Sequence, residues 1–225
     1  MKILAVDTTA SPASVAITED NKVVAFSYLN IGLKHSETLF PLIDFALKNS
    51  GTDVKEITCA AVNVGPGSFT GVRIGVNSVK GLCFTENIKC IPVSTLESMA
   101  YNMKSFDCYV LSLMDARCNQ VYTALFEISD GQVIRKTEDC AIKIDSIDFI
   151  PDDCKVVYLV GDGAEVAYEI LKNKYNNLRL PAENLMYQNA VSVALCAAEN
   201  ADRTINAENL LPAYLRLPQA ERNLK

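Results

Sequence analysis

At 225 residues, 49% of them hydrophobic, the chain can bury a sizeable core in one domain or in two small ones. A net charge of −6 and a pI near 4.9 exclude a broad nucleic-acid surface, because neutralising phosphates takes clustered Lys and Arg. Eight cysteines (Cys59, Cys83, Cys90, Cys108, Cys118, Cys140, Cys154 and Cys196) without a Cys-x-x-Cys pair exclude a zinc framework or a secreted disulfide scaffold and predict buried thiols. No apolar run approaches the roughly 18 residues of a membrane span, and the apolar start from Met1 to Val6 stops too soon for a signal peptide, so a cytoplasmic protein is expected.

Lys2 to Thr8, Ser14 to Glu19 and Lys22 to Leu29 are predicted as three strands, with Asp20-Asn21 as a two-residue hairpin turn. Asp7 closes the first beside the hydroxyls of Thr8, Thr9 and Ser11. There it either holds a metal-bound water or a phosphate, or belongs to a turn satisfied by its own side chains. Ser36 is placed to cap a helix through about Lys48, ended by Asn49-Ser50-Gly51, with Pro41 forcing a kink or a late start. Leu39, Phe40, Leu42, Ile43, Phe45, Ala46 and Leu47 cover nearly its whole circumference. The helix is therefore either sandwiched between layers or turned outward to another protein. His35 is the only histidine, which rules out a His pair and predicts a local capping or packing role.

Cys59 to Val64 is a buried strand, Gly65-Pro66-Gly67 a turn, and Ser68 or Thr70 the cap of a helix spaced by Val72, Val76, Val79, Leu82 and Cys83. Strand, glycine turn and helix N-terminus make either an anion site or an ordinary connection. Gly71, Gly75 and Ser78 leave one stripe of this helix almost bare. Glycine in a helix costs about 1 kcal/mol relative to alanine, so close packing should compensate, against a helix of this chain or of a partner.

Lys89 to Val93 is the next strand, Ser94 and Glu97 form a capping box for a helix to about Tyr101, and Asn102 to Ser105 follows as a linker. The second unit repeats the order. Tyr109 to Met114, Gln120 to Ile128 and Gln132 to Lys136, continuing past Cys140, are strands. Val156 to Val160, Gly161-Asp162-Gly163 and a helix from Ala164 to Lys174 come next, then a helix from Ala190 to Ala201. The predicted halves are residues 1–105 and 106–225, with the last segment free to pack back on the first.

Such duplicated halves look like the actin-like ATPase (RNase H-like) fold, an α/β class with two mixed five-stranded sheets and flanking helices. Ile3-Leu4-Ala5-Val6-Asp7-Thr8-Thr9, His35-Ser36-Glu37-Thr38-Leu39, Gly65-Pro66-Gly67-Ser68-Phe69-Thr70-Gly71-Val72-Arg73-Ile74-Gly75, Asp115-Ala116-Arg117 and Pro212-Ala213-Tyr214-Leu215-Arg216 resemble the bacterial TsaB family of tRNA threonylcarbamoyladenosine biosynthesis. The resemblance implies a non-catalytic partner of a homologous TsaD-like transferase that modifies N6 of adenosine 37 in tRNAs reading ANN codons, with a TsaE-like ATPase in the same assembly. It implies homodimers when the chain is alone and tRNA contact only through the complex. In the catalytic relative two histidines hold a metal, and those positions fall here on Thr95 and Met99, so no metal is expected.

No cofactor is expected to be required. A vestigial or shared site for ATP or ADP is expected at Asp7, Thr8, Thr9, Gly161 and Gly163, weakened because Thr8-Thr9-Ala10 lacks the usual glycine. The predicted interface is a bundle of the Ser36–Lys48 helix and the helix starting near Thr70, touching the partner through Leu39, Leu42, Ile43, Ala46, Gly71, Gly75, Ser78 and Val79. A free-standing actin-like ATPase or kinase and a metallopeptidase are the competing readings.

Overall fold

The computed structural model describes residues 1–32, 34–151 and 155–216. Strands β1 (Lys2–Asp7), β2 (Ala13–Glu19) and β3 (Lys22–Leu29) form an antiparallel meander, joined at Asp20 and Asn21 with φ of 48° and 65°. β4 (Cys59–Gly65) and β5 (Lys89–Ser94) add in parallel, giving the order β3-β2-β1-β4-β5 with Ala5 beside both Ala16 and Ala61. Helix α1 (His35–Ser50) follows β3, and α2 (Phe69–Glu86) links β4 to β5. Both cover one face of this sheet, burying Leu39, Leu42, Ile43, Val72, Val76 and Val79 against Leu4, Val15 and Val62.

The second sheet repeats that path with β6 (Cys108–Asp115), β7 (Gln120–Ser129), β8 (Gln132–Arg135), β10 (Val157–Val160) and β11 (Leu178–Arg179), in the order β11-β10-β6-β7-β8. It has six strands rather than the expected five, because β9 (Cys140–Lys143) also pairs with β7. The single long third strand is broken in two. At the break the Thr137 hydroxyl accepts from Leu125 N–H at 2.8 Å, while the N–H groups of Lys136 and Thr137 both donate to the Leu125 carbonyl. A side chain thus replaces one rung of the ladder and lets the strand loop out.

Between the sheets lies a layer of exchanged helices. α3 (Thr95–Ala100), from the first half, buries Leu96 and Met99 against Val110 and Phe126 of the second sheet. α6 (Ala190–Glu199), from the second half, packs Ala190, Val193, Ala194 and Ala197 on Ile3, Ala5 and Ala61 of the first. Helix α4 (Ala164–Leu171) covers the outer face of the second sheet, and α5 (Glu183–Met186) precedes α6. No helix among the described residues is long and apolar enough to cross a membrane.

Three local expectations are corrected. Ser36 does not cap α1, which begins at His35 without a side-chain cap and runs unbroken through Pro41 to Gly51, where φ is 65°. Its stability comes from burial of Leu39, Leu42, Ile43 and Ala46, with Pro41 on the exposed side. The Glu97 carboxylate leaves the capping box for Arg135 and Arg203, although the Ser94 hydroxyl does accept from Glu97 N–H. The segment Asn102 to Ser105 is not a loose linker. Asn102 Nδ2 donates to the carbonyls of Leu185 and Tyr187, both at 2.9 Å, and Met103 is buried.

Candidate functional site

The carboxyl ends of β1 and β4 meet the N-terminus of α2, the place where this topology can hold an anion. Asp7 is wholly buried there, its Oδ1 accepting from Asn63 Nδ2 at 2.9 Å, Thr9 Oγ1 at 2.8 Å and Thr9 N–H at 3.3 Å. Burial pushes the Asp7 carboxyl above its ordinary pKa against the pull of these donors, and its Oδ2 has no hydrogen-bond partner. His35, also buried, donates from Nε2 to the Ala10 carbonyl at 2.8 Å. It ties α1 to the loop after β1.

Two of the N–H groups that face this turn are already bonded. Ser68 N–H donates to the Thr9 carbonyl at 2.7 Å, and Gly71 N–H to the Ser68 hydroxyl at 3.3 Å. A Cβ on Gly67 would lie 2.5 Å from the Thr9 carbonyl oxygen, so the turn packs directly on the loop after β1. In the second half, Gly161 N–H donates to the Met186 carbonyl and Gly163 N–H to that of Leu113. A Cβ on Gly161, whose φ is 104°, would stand 2.1 Å from the Leu113 carbonyl oxygen. Thr8, Thr9, Gly161 and Gly163 thus close their turns by packing chain on chain.

The residues predicted to touch a partner are placed differently. Leu39, Leu42, Ile43, Ala46 and Val79 lie in the core under α1 and α2. Gly71 and Gly75 are also buried, and what fills their stripe is Thr8: its carbonyl oxygen would be 2.1 Å from a Cβ on Gly71, and its hydroxyl 2.5 Å from one on Gly75. The Thr8 hydroxyl donates to the Gly71 carbonyl at 2.7 Å. The closest neighbour is therefore the loop after β1, with the His35 ring of α1 next, 3.4 Å from a Cβ on Gly71. Of the eight, Ser78 alone is half-exposed, bordering a groove between α1 and α2 with Phe40 and Ile74.

The outward face of these helices carries other residues. Phe40 is 57% exposed, Phe45 58% and Phe84 71%. The sequence held the signal for the first two. Leu39, Leu42, Ile43 and Ala46 share one helical face, and Phe40 and Phe45 fall off it, among Pro41, Asp44 and Lys48.

A cavity of about 390 Å³ separates the two turns, lined by Gly67, Ser68, Asp115, Arg117, Tyr122 and Arg216. The tail crosses one wall. Ala213 N–H donates to the Val64 carbonyl at 2.8 Å, Tyr214 stacks on Phe69 at 4.6 Å, and Arg73 Nε donates to the Tyr214 hydroxyl at 2.8 Å. Further along, the Arg216 guanidinium lies 5.5 Å from the Tyr122 ring centroid, so the tail reaches from one half to the other. At the positions where the family resemblance places two metal-binding histidines, Thr95 and Met99 are fully buried, a hydroxyl and a thioether rather than imidazoles. Among the described residues no group of three or more His, Cys, Asp or Glu is arranged to hold a metal.

The family model described as TsaD, tRNA N6-adenosine threonylcarbamoyltransferase, matches residues 31–224. The tRNA threonylcarbamoyladenosine biosynthesis protein TsaB of Bacillus subtilis is 27% identical over 222 residues, 98% of this chain and 96% of its own length. The solved structure of YeaZ from Pseudomonas aeruginosa superposes with a TM-score of 0.84 at 24% identity, over 95% of this chain and 99% of that one. A ROK hexokinase from Thermus thermophilus shares the fold alone, with a TM-score of 0.51 at 11% identity over 90% of this chain and 99% of its own. Matched along most of its length by the transferase model and along nearly all of it by a TsaB protein, the chain belongs to the tRNA N6-adenosine threonylcarbamoyltransferase family, on its TsaB branch.

Proposed function

We propose that this chain is a non-catalytic subunit of a tRNA-threonylcarbamoylating assembly, supporting a homologous TsaD-like transferase that modifies N6 of adenosine 37. The observation that carries this reading is the use of the glycine-turn donors by the chain's own carbonyls, above all Ser68 N–H on the Thr9 carbonyl. A phosphate-transferring enzyme must aim free backbone N–H groups at its substrate. With Thr95 and Met99 in place of imidazoles, neither nucleotide hydrolysis nor metal chemistry has its residues here. The chain then requires no cofactor of its own, and nucleotide in the assembly belongs to a partner or to a shared interface.

The partner surface is the outer face of α1 and α2, where Phe40, Phe45 and Phe84 are exposed. Aromatic side chains are the usual anchors of interfaces. The same face pairs two copies when the chain is alone, so homodimer and heterodimer compete. A TsaE-like ATPase completes the assembly, tRNA is reached only through the complex as the acidic charge requires, and the setting is the cytoplasm.

The test is to purify the chain with and without its cell's TsaD-like protein and to measure phosphate release from ATP and magnesium alongside tRNA modification. Co-purification, modification only with both proteins present, and background hydrolysis by the chain alone are expected. Sustained hydrolysis by the isolated chain, lost in Asp7→Asn, would overturn the reading.

A further inference from the structure

The two edges of the first sheet are treated differently. β5 is covered, since Cys90 and Ile205 exchange backbone hydrogen bonds at 2.9 and 2.8 Å as the tail passes. Among the described residues β3 pairs only with β2, which leaves its outer edge open. An exposed apolar edge is what natural sheets usually avoid, by charge, proline or cover. Over eight residues β3 carries one charge, Lys22, and no proline, and Val23, Val24, Phe26 and Tyr28 are 49, 42, 45 and 38% exposed.

Beside this edge the sheet's second face is incompletely covered. On the first face α1 reaches out over β3, partly burying Ala25 and Leu29. On the second, the ten-residue α6 packs mainly over β1 and β2 and touches β3 only lightly. A groove of about 890 Å³ is left, walled by Phe26, Tyr28, Tyr187, Val191 and Leu195 with Glu183 at its rim. Its volume is in the range of sites that bury most of a ligand. Among the described residues no Lys or Arg lines it. Burial raises the pKa of the Tyr28 and Tyr187 phenols, and the Glu183 carboxylate near both adds to the shift.

We propose that β3 and this groove form a docking site for an extended, arginine-bearing segment of a partner protein, which adds to the sheet as a sixth strand. Strand addition satisfies the open backbone groups, and alternate side chains of the added strand fall on the groove side. A guanidinium there stacks on the aromatic walls and meets the Glu183 carboxylate, which forms no ion pair among the described residues. The surface is separate from the outer face of α1 and α2, lying past the opposite face of the sheet. A third component can therefore dock while that face is occupied, and the proposal stands whether or not the α1–α2 pairing does.

The probe is a fluorescent, end-blocked heptapeptide, Thr-Val-Arg-Val-Arg-Val-Thr, titrated with the full chain and read by polarisation. Saturable binding is expected, weakened about tenfold or more when both arginines become glutamates or when alternate backbone nitrogens are methylated. Phe26→Ser with Tyr28→Ser should lose binding to the same degree. These are exposed side chains, and circular dichroism verifies the fold of the variant. Glu183→Gln, on an exposed position that leaves the sheet untouched, should weaken binding about threefold to tenfold and flatten its salt dependence. The proposal is overturned by three results: no saturable binding up to about 1 mM, equal affinity for the methylated peptide, or full affinity in a folded Phe26→Ser, Tyr28→Ser protein.

Discussion

The two halves follow one strand path and have diverged in what surrounds it. In the first, β3 is followed by a helix of 16 residues, and an 18-residue helix leaves the glycine turn. In the second, the described residues at the position of α1 hold only the three-residue turn Ile144–Ser146, and α4 has eight residues. The aspartates at the ends of the first strands differ as well. Asp7 is sealed in with one oxygen unpartnered, whereas the Asp115 side chain is 44% exposed and accepts from Arg117 N–H at 2.7 Å. Both glycine turns nevertheless donate backbone N–H groups to their own chain. The difference therefore lies outside the cleft, in helices that only the first half retains with aromatic outer faces, and that is where an assembly role should reside.

The largest effect should come from reopening a closed turn. Gly71→Val drives a side chain into the Thr8 carbonyl, 2.1 Å from an ideal Cβ, and Gly161→Val does the same at Leu113. Each should lose more than about 3 kcal/mol or fail to fold, beyond the usual range for overpacking because the obstacle is backbone. Gly81, on the same helix as Gly71, has nothing within 4 Å, so Gly81→Ala should gain up to about 1 kcal/mol. Urea midpoints decide it. Wild-type stability in Gly71→Val would return the glycine stripe to a partner.

Next in size is the contrast between the helices of the two halves. Phe45→Asp with Phe84→Asp should weaken self-association and transferase binding about a hundredfold, some 2.7 kcal/mol, with the fold intact. Val166 and Ile170, 52 and 40% exposed on α4, are the matched control in the second half. Val166→Asp with Ile170→Asp should leave both associations unchanged by sedimentation. Loss in both pairs would remove the asymmetry.

A smaller effect is expected where the tail joins the halves. Tyr214→Ala deletes the stack on Phe69 and the bond from Arg73, and should cost about 1–2 kcal/mol and speed proteolysis of the last residues. A protease pattern and urea midpoint matching wild type would mean that the tail is held elsewhere.

Much of this architecture was legible because it rests on local signals. The Asp20-Asn21 hairpin, the Ser68 cap and the strand–turn–helix units at Gly65 and Gly161 follow from turn chemistry and periodicity. What could not be read was which neighbour fills a gap. Gly71 and Gly75 announce a close approach, and only the fold shows that Thr8, 63 residues before Gly71, makes it. The same limit set the capping box, since Arg203 reaches Glu97 from 106 residues away. The exposed Phe84 had no sequence signal of its own, because nothing in the helix pattern separates an aromatic facing a partner from one facing the core.

The smallest effect is a pH dependence confined to the first half. Burial raises the Asp7 pKa above the ordinary carboxylate value of 3.8, so the folded chain keeps a proton that the unfolded chain has released. Stability from this group is fully present below that ordinary value and falls as pH climbs toward and through the raised one. Asp7→Asn keeps an acceptor for Asn63 and Thr9 and carries no charge at any pH. Its melting temperature relative to wild type should therefore be lowest near pH 4 and rise steadily toward pH 8. An offset that is the same at every pH would mean that Asp7 titrates alike in both states and that its buried oxygen is hydrated. That result would make the first-half turn as open to water as the second, and the contrast between Asp7 and Asp115 would disappear.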